Sequence, residues 1–217
     1  MKVVALITAK GGTGKSSGAI SLAVAAEEAG LRSYVLDLDP QGTARNWFER
    51  RQAATPEVAS IDASRISVAL STLARQGIDL VFVDTAGVDS PATTAAMQAA
   101  DLTLIPARPS IADIEAARPT VRALMKLGRS FAFVLNQVPP GRSIRTSDAY
   151  RALSLSGAVA GTSLATRMDH VDALAEGLGV TERDPTGKAA GEVRELLQWI
   201  RLRLEGKTDG SEETRVA

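Results

Sequence analysis

The sequence predicts an α/β protein built on a doubly wound, mainly parallel sheet with helices on both faces. Three observations carry this. Short apolar, β-branched runs alternate along the chain with longer helical segments, the order that parallel βαβ units require. The runs Lys2–Thr8 (KVVALIT), Ser33–Asp37 (SYVLD) and Leu80–Asp84 (LVFVD) are apolar nearly throughout rather than at every second residue, so their strands are expected to be covered on both faces. A glycine-rich stretch, Lys10–Ser17 (KGGTGKSS), separates the first run from the first helix.

Further strands are expected at Leu102–Ile105, ended by Pro106, at Phe131–Leu135 and, more weakly, at Ala158–Gly161. Ala19–Ala29 is rich in helix formers and is stopped by Gly30. Asn46–Ala53 and Arg65–Gln76 read as a short and a longer helix, and Pro91–Ala99 as another. Ser110-Ile-Ala-Asp113 has the form of a capping box that opens a helix to Leu127, bent at Pro119. Lys188–Leu204 places Val193, Leu196, Leu197, Ile200 and Leu204 on one face. Residues 1–205 are expected to form a single domain, and 206–217 (GKTDGSEETRVA) a polar, disordered tail.

Bulk properties narrow the functional classes. The 217 residues suffice for one sizeable core. Formal net charge is zero, so nucleic-acid binding would need a local basic patch. With no cysteine, disulfides, thiolate zinc sites and cysteine-held iron–sulfur clusters are excluded. The first residues do not read as a signal peptide, no stretch has the length of a membrane span, and the expected location is the cytoplasm. Aromatic residues are 4 % of the chain, too few for a base-stacking platform; Trp47 and Trp199 read as core or dimer contacts. His170, the sole histidine, reads as a helix-surface residue.

In a doubly wound sheet, ligands collect at the carboxyl ends of the strands, here the loops after Thr8, Asp37, Asp84, Ile105 and Leu135. The first loop approximates the phosphate-loop pattern, completed by Gly14-Lys15-Ser16, which makes a P-loop NTPase the expected fold. Gly11, Gly12 and Gly14 let backbone amides turn toward a polyphosphate, with Thr13 and Ser17 completing the loop. A helix beginning near Lys15 adds its positive end. Lys15 supplies a point charge to the outer phosphates and Ser16 a hydroxyl to Mg2+. Asp84 follows four apolar residues at a strand end and is placed to act on the cation through a water. Asp37 and Asp39 are spaced to project to one side at the end of the second strand. One can serve the metal while the other orients an attacking water.

KGGTGKSS resembles the deviant phosphate-loop motif KGGxGK[ST][ST] of the ParA/MinD ATPases. VLDLDPQG (35–42), LVFVDTAG (80–87), LTLIPARPS (102–110) and the segment 165–193 resemble that family's later motifs in order. The likeness covers residues 1 to 204 and is closest to short plasmid-type ParA partition proteins. It implies an ATPase that uses ATP and Mg2+, forms an ATP-dependent sandwich dimer and binds DNA without sequence preference. Hydrolysis would be stimulated by a ParB-like or other cargo adaptor, on the nucleoid. By the same resemblance Lys10 reaches the partner's nucleotide, Asp39 positions the water, Asp37 joins the metal environment, and Asn136 with the backbone near Pro185 holds the base. DNA contacts would come from Arg142 and Arg145, and from Arg167. A MinD-like membrane positioner is the first alternative, but the last helix and tail lack the required amphipathic character. A metabolic P-loop transferase is the second, but no acceptor site is evident.

Overall fold

The structure is a computed structural model that describes residues 1–87 and 90–207. The order of elements is β1 (Lys2–Leu6), α1 (Lys15–Glu28), β2 (Ser33–Asp37), α2 (Thr43–Arg50), β3 (Glu57–Ser60) and α3 (Ile66–Arg75), the last preceded by a 3-10 turn at Ala63–Arg65. There follow β4 (Leu80–Asp84), α4 (Pro91–Ala99), β5 (Leu102–Ala107), α5 (Ile111–Lys126), β6 (Phe131–Val138), α6 (Ile144–Ser154), β7 (Ala158–Val159), β8 (Leu164–Ala165), α7 (Met168–Ala175), α8 (Val180–Arg183) and α9 (Lys188–Leu204). The expected tail falls at 208–217 outside the described residues. Among those described, no helix is long and apolar enough to cross a membrane.

The strands pair in parallel in the order β3-β2-β4-β1-β5-β6-β7, with β8 beside the far end of β6. Strand order reverses about β1, which puts a crevice at the carboxyl ends of the central strands. Because successive side chains alternate, β1 serves two cores. Val4 and Leu6 face α1, α2 and α9, in the layer that buries Trp47 and Trp199. Val3, Ala5 and Ile7 face the layer of α3, α4, α5 and α6. α1 lies under this sheet with Gly18 to Ala26 buried without a break, which explains why its sequence is apolar on every side rather than on one stripe.

Two expectations at β5 and α5 need correction. Pro106 does not end β5; it pairs with Val134 inside the strand. β1 pairs only with Leu102 to Leu104, so β5 has a single neighbour at Pro106 and the missing N–H leaves no acceptor stranded. α5 is opened by half of a capping box. The Ser110 hydroxyl accepts from the Asp113 amide, and the Asp113 carboxylate accepts from that hydroxyl and from Lys10, as described below. Pro119 lies within α5, which continues past it.

Candidate nucleotide site

The phosphate loop joins the end of β1 to α1. Gly14 precedes the helix with φ of 89°, a left-handed conformation that a side chain resists. The first helical hydrogen bond runs from the Gly18 amide to the Gly14 carbonyl, and no side chain caps the helix. The amides of Lys15, Ser16 and Ser17 are therefore without helical acceptors and present the positive end of the helix dipole. Lys15 is 7 % exposed and its ammonium bends back to the Lys10 carbonyl at 3.4 Å. Burial lowers its pKa, while the charges of Asp84 and Asp39 push it back up. Thr13 is buried beneath the loop, its hydroxyl 3.4 Å from the same carbonyl. Gly87 lies against the loop from the β4 side: a Cβ there would stand 3.2 Å from the Gly11 nitrogen and from Lys15 Nζ.

β2 and β4 run side by side so that Asp37 and Asp84 end in register. Asp84 is fully buried, and among the described residues neither carboxylate oxygen has a hydrogen-bond partner. Burial is the main force raising its pKa to about 7; Asp37 and Asp39 add to the rise, and Ser16 and Lys15 oppose it. A buried carboxylate left unpartnered beside a serine hydroxyl fits a divalent cation. Among the described residues no three acidic or histidine side chains gather to hold a metal by themselves. Mg2+ takes one or two protein groups and completes its shell with phosphate oxygens and water.

Asp37 stands beside Asp84 but is already engaged. Its Oδ1 accepts from the Asp39 amide at 3.0 Å and its Oδ2 from the Arg45 amide at 3.1 Å. It therefore caps α2, whose own N-cap is Gly42 with no side-chain bond, and leaves Asp84 as the free carboxylate. Burial raises its pKa against those two amides. Asp39 is half-buried at the rim, one oxygen accepting from the Gln41 amide.

Lys10 leaves the loop for α5. Its ammonium donates to Asp113 Oδ2 at 2.6 Å, as does the Ser110 hydroxyl at 2.6 Å, while Arg108 Nε donates to the other oxygen, Oδ1, at 2.9 Å. Burial works to raise the Asp113 pKa, but these three donors hold it down at about 2. The chain alone shows Asp113 as a capping residue; nothing in the spacing of Lys10, on the phosphate loop, and Asp113, in the first turn of α5, announces that they meet.

Three expected contacts are placed differently. Asn136 does reach the loop, but its Nδ2 donates to the Thr13 carbonyl at 2.7 Å and its Oδ1 accepts from the Gln137 amide at 2.8 Å. Gln137, which no motif in the sequence singles out, donates to the Gly12 carbonyl at 2.8 Å, so both side chains brace the loop. Pro185 is not brought to this set: Arg194 binds its carbonyl and grips Glu28, at the opposite end of α1 from the loop. Arg167 is not a free surface cation: it binds Glu192 Oε1 at 2.6 and 3.2 Å, while Glu192 Oε2 accepts from the Ala165 amide. Arg142 and Arg145, at the loop after β6 and the start of α6, are exposed as expected.

Backbone amides and one lysine for a polyphosphate, with Asp84 and Ser16 for its cation, are the construction of a P-loop nucleotide-binding protein. Residues 4–180 match the model of the CobQ/CobB/MinD/ParA nucleotide binding domain, and the chain belongs to that family; it is an ATPase of the ParA/MinD kind. It is 37 % identical over 159 residues, 72 % of each chain, to maintenance of carboxysome distribution protein A of Gloeobacter kilaueensis. It is 25 % identical over 239 residues to the chromosome-partitioning ATPase Soj of Thermus thermophilus, spanning 93 % of this chain and 96 % of the relative. The fold superposes on the septum site-determining protein MinD of Pyrococcus horikoshii, complexed with Mg-ADP, with a TM-score of 0.75 at 16 % identity, covering 96 % and 99 % of the two chains.

Proposed function

We propose that the protein is a ParA-type positioning ATPase. With ATP and Mg2+ it forms a two-fold sandwich dimer that binds DNA without sequence preference on the nucleoid. A cargo-borne, ParB-like adaptor stimulates hydrolysis and frees the DNA. The cargo class is a plasmid, a chromosome or a protein assembly. The observation that carries this reading is Lys10: a second lysine of the loop, one-third exposed, whose ammonium is held away from Lys15 on Asp113 of α5. Two polyphosphates facing each other across a two-fold axis repel, and a lysine from each partner offsets that charge. Mg2+ would neutralise the charge that builds on the transferred phosphoryl group. Asp84 and Ser16 hold the cation's side of the site, Lys15 neutralises the outer phosphates, and Asp39 at the rim orients the water.

Lys10→Ala is expected to bind ATP with near-normal affinity but to lose roughly 10²–10³-fold in adaptor-stimulated turnover, the cost of removing one charge-stabilising donor. Normal stimulated turnover in this variant would remove the trans role. Asp39→Ala is expected to dimerise with ATP and to hydrolyse about 10²–10⁴-fold more slowly, trapping the dimer. Light scattering with ATP checks this, and a variant that stays monomeric contradicts it.

The DNA surface is assigned to Arg142 and Arg145. A single protomer offers few charges, so the ATP dimer, which doubles them, is the competent state. Binding to a random-sequence duplex should require ATP and weaken steeply with salt. Every phosphate that is no longer neutralised lowers the salt slope by about 0.9. Arg145→Ala should lower both affinity and slope, whereas Arg167→Ala should leave the slope unchanged because its guanidinium is held by Glu192. A salt slope that ignores Arg145 and falls with Arg167 would reverse this assignment.

A further inference from the structure

At the amino ends of the strands, the opposite edge of the sheet from the phosphate loop, a groove of about 690 Å3 crosses the first residues of β1, β5, β6 and β7: Lys2, Leu102, Phe131 and Ala158. These four strands lie side by side, so the groove is about 15 Å long. Its floor is partly apolar. Phe131 is half-buried and Met125, at the end of α5, is 60 % exposed. Its rim is basic, carrying Arg129, Arg203 and Lys207 besides Lys2. Asp101 is the one acid among the described lining residues. It already accepts from the Val3 amide at 2.7 Å and stands 3.7 Å from Lys2. Lys207 is met by Glu205, Arg203 lies over the Trp199 ring, and Arg129 is exposed before β6.

The end of α9 delivers the chain to this groove. Gly206 has φ of 73°, and the Lys207 amide returns to the Leu202 carbonyl, a turn that ends the helix and redirects the backbone. Gly206 and Lys207 both line the groove. Residues 208–217 (TDGSEETRVA) follow, outside the described residues; their sequence sets Asp209, Glu212 and Glu213 against Arg215. Such a sequence has too little apolar content to build a core of its own, but a basic groove offers it partners. At up to about 3.3 Å per residue, five extended residues span the groove. We infer that residues 208–217 dock in this groove, their carboxylates on Arg129 and Arg203. Exposed ion pairs are individually weak. The tether offsets this: a segment joined at the mouth of the groove is present at an effective concentration on the order of millimolar, and a separate acidic chain would have to displace it.

The test uses the full chain. It contains no cysteine, so Ser211→Cys can be labelled uniquely with a nitroxide. Its electron paramagnetic resonance spectrum separates an immobilised from a mobile fraction. At low salt the immobilised fraction should dominate. Arg129→Glu with Arg203→Glu should lower the ratio of immobilised to mobile label by at least about tenfold, the scale of two exposed pairs turned from attraction to repulsion. About 1 M salt, where screening acts within about 3 Å, should do the same to the wild-type groove. Glu212→Arg with Glu213→Arg should also free the label, and combining these with the two groove reversals should restore much of the immobilised fraction. Arg201→Glu, which changes a cation of the neighbouring groove between α1 and α9, should leave the spectrum as it was. A label as mobile in the wild type at low salt as in the doubly reversed groove overturns the proposal. So does a loss of immobilisation that Arg201→Glu matches, or one that the charge swap fails to restore. The measurement is made without nucleotide, so its outcome is separate from that of the positioning activity.

Discussion

Lys15→Ala is expected to abolish measurable ATP binding without weakening the nucleotide-free fold. Lys15 is 7 % exposed, and burial is the chief influence on its pKa, lowering it, so the folded chain holds this charge at a cost. That cost is recovered only when anionic oxygens enter the loop. Two charge-assisted bonds to phosphate are worth roughly 3–6 kcal/mol, so the dissociation constant should rise by at least about 100-fold. Removing the side chain also removes a buried cation, although Asp84 then loses a neighbour that favours its ionised form. Equilibrium dialysis with Mg-ATP and thermal melting without nucleotide test the two halves. Unchanged ATP affinity would dismiss Lys15 as the phosphate ligand, and a large drop in melting temperature would mean that it is chiefly structural.

The second large effect is at Asp84. Its folded pKa is about 7 against the ordinary 3.8, so between those values the folded protein keeps a proton that the unfolded chain has released. The stability associated with that proton is fully present below about pH 4 and is lost as pH rises through about 7. At pH 8 the buried charge costs on the order of 4 kcal/mol, an upper figure that relaxation reduces. Asp84→Asn carries no such charge. Its melting temperature in the absence of metal should exceed that of the wild type by roughly 5–10 °C at pH 8, with little difference at pH 5. Adding Mg-ATP should then stabilise the wild type and not the variant, and hydrolysis by the variant should be lost. Calorimetry at the two pH values decides: a variant less stable than the wild type at pH 8, or an advantage independent of pH, would contradict the buried unpaired carboxylate.

The elements that determine the site are legible in the sequence because each combines an apolar run with punctuation. β2, β4, α4 and α9 begin and end where β-branched content, a leading proline or an apolar face place them. β3 is not legible: Glu57–Ser60 is a partly exposed edge strand whose pairing with β2 supplies what its own sequence lacks. β8 is two residues long and exists through its register with β6. At the site, phosphate-binding residues cluster in one loop and can be read directly. Residues that act by meeting distant partners cannot. Asp113 reads as a helix cap until Lys10 and Arg108 arrive, and Arg167 reads as a free cation until α9 brings Glu192. His170, expected on a helix surface, is half-buried because α7 turns it into a groove made by α1 and β6.

The bond from Glu192 to the Ala165 amide also sets a clock on biosynthesis. Gly14 leaves the ribosome roughly 180 residues before Glu192 does. At about 5–20 residues per second that interval is on the order of 10–35 s. Throughout it the nascent chain carries a phosphate loop whose neighbouring segment, residues 165–167, has not been synthesised or has not yet met its brace. The brace on residues 165–167 is complete only once α9 has been made and packs against α1, so this part of the fold is assembled from segments made far apart in time.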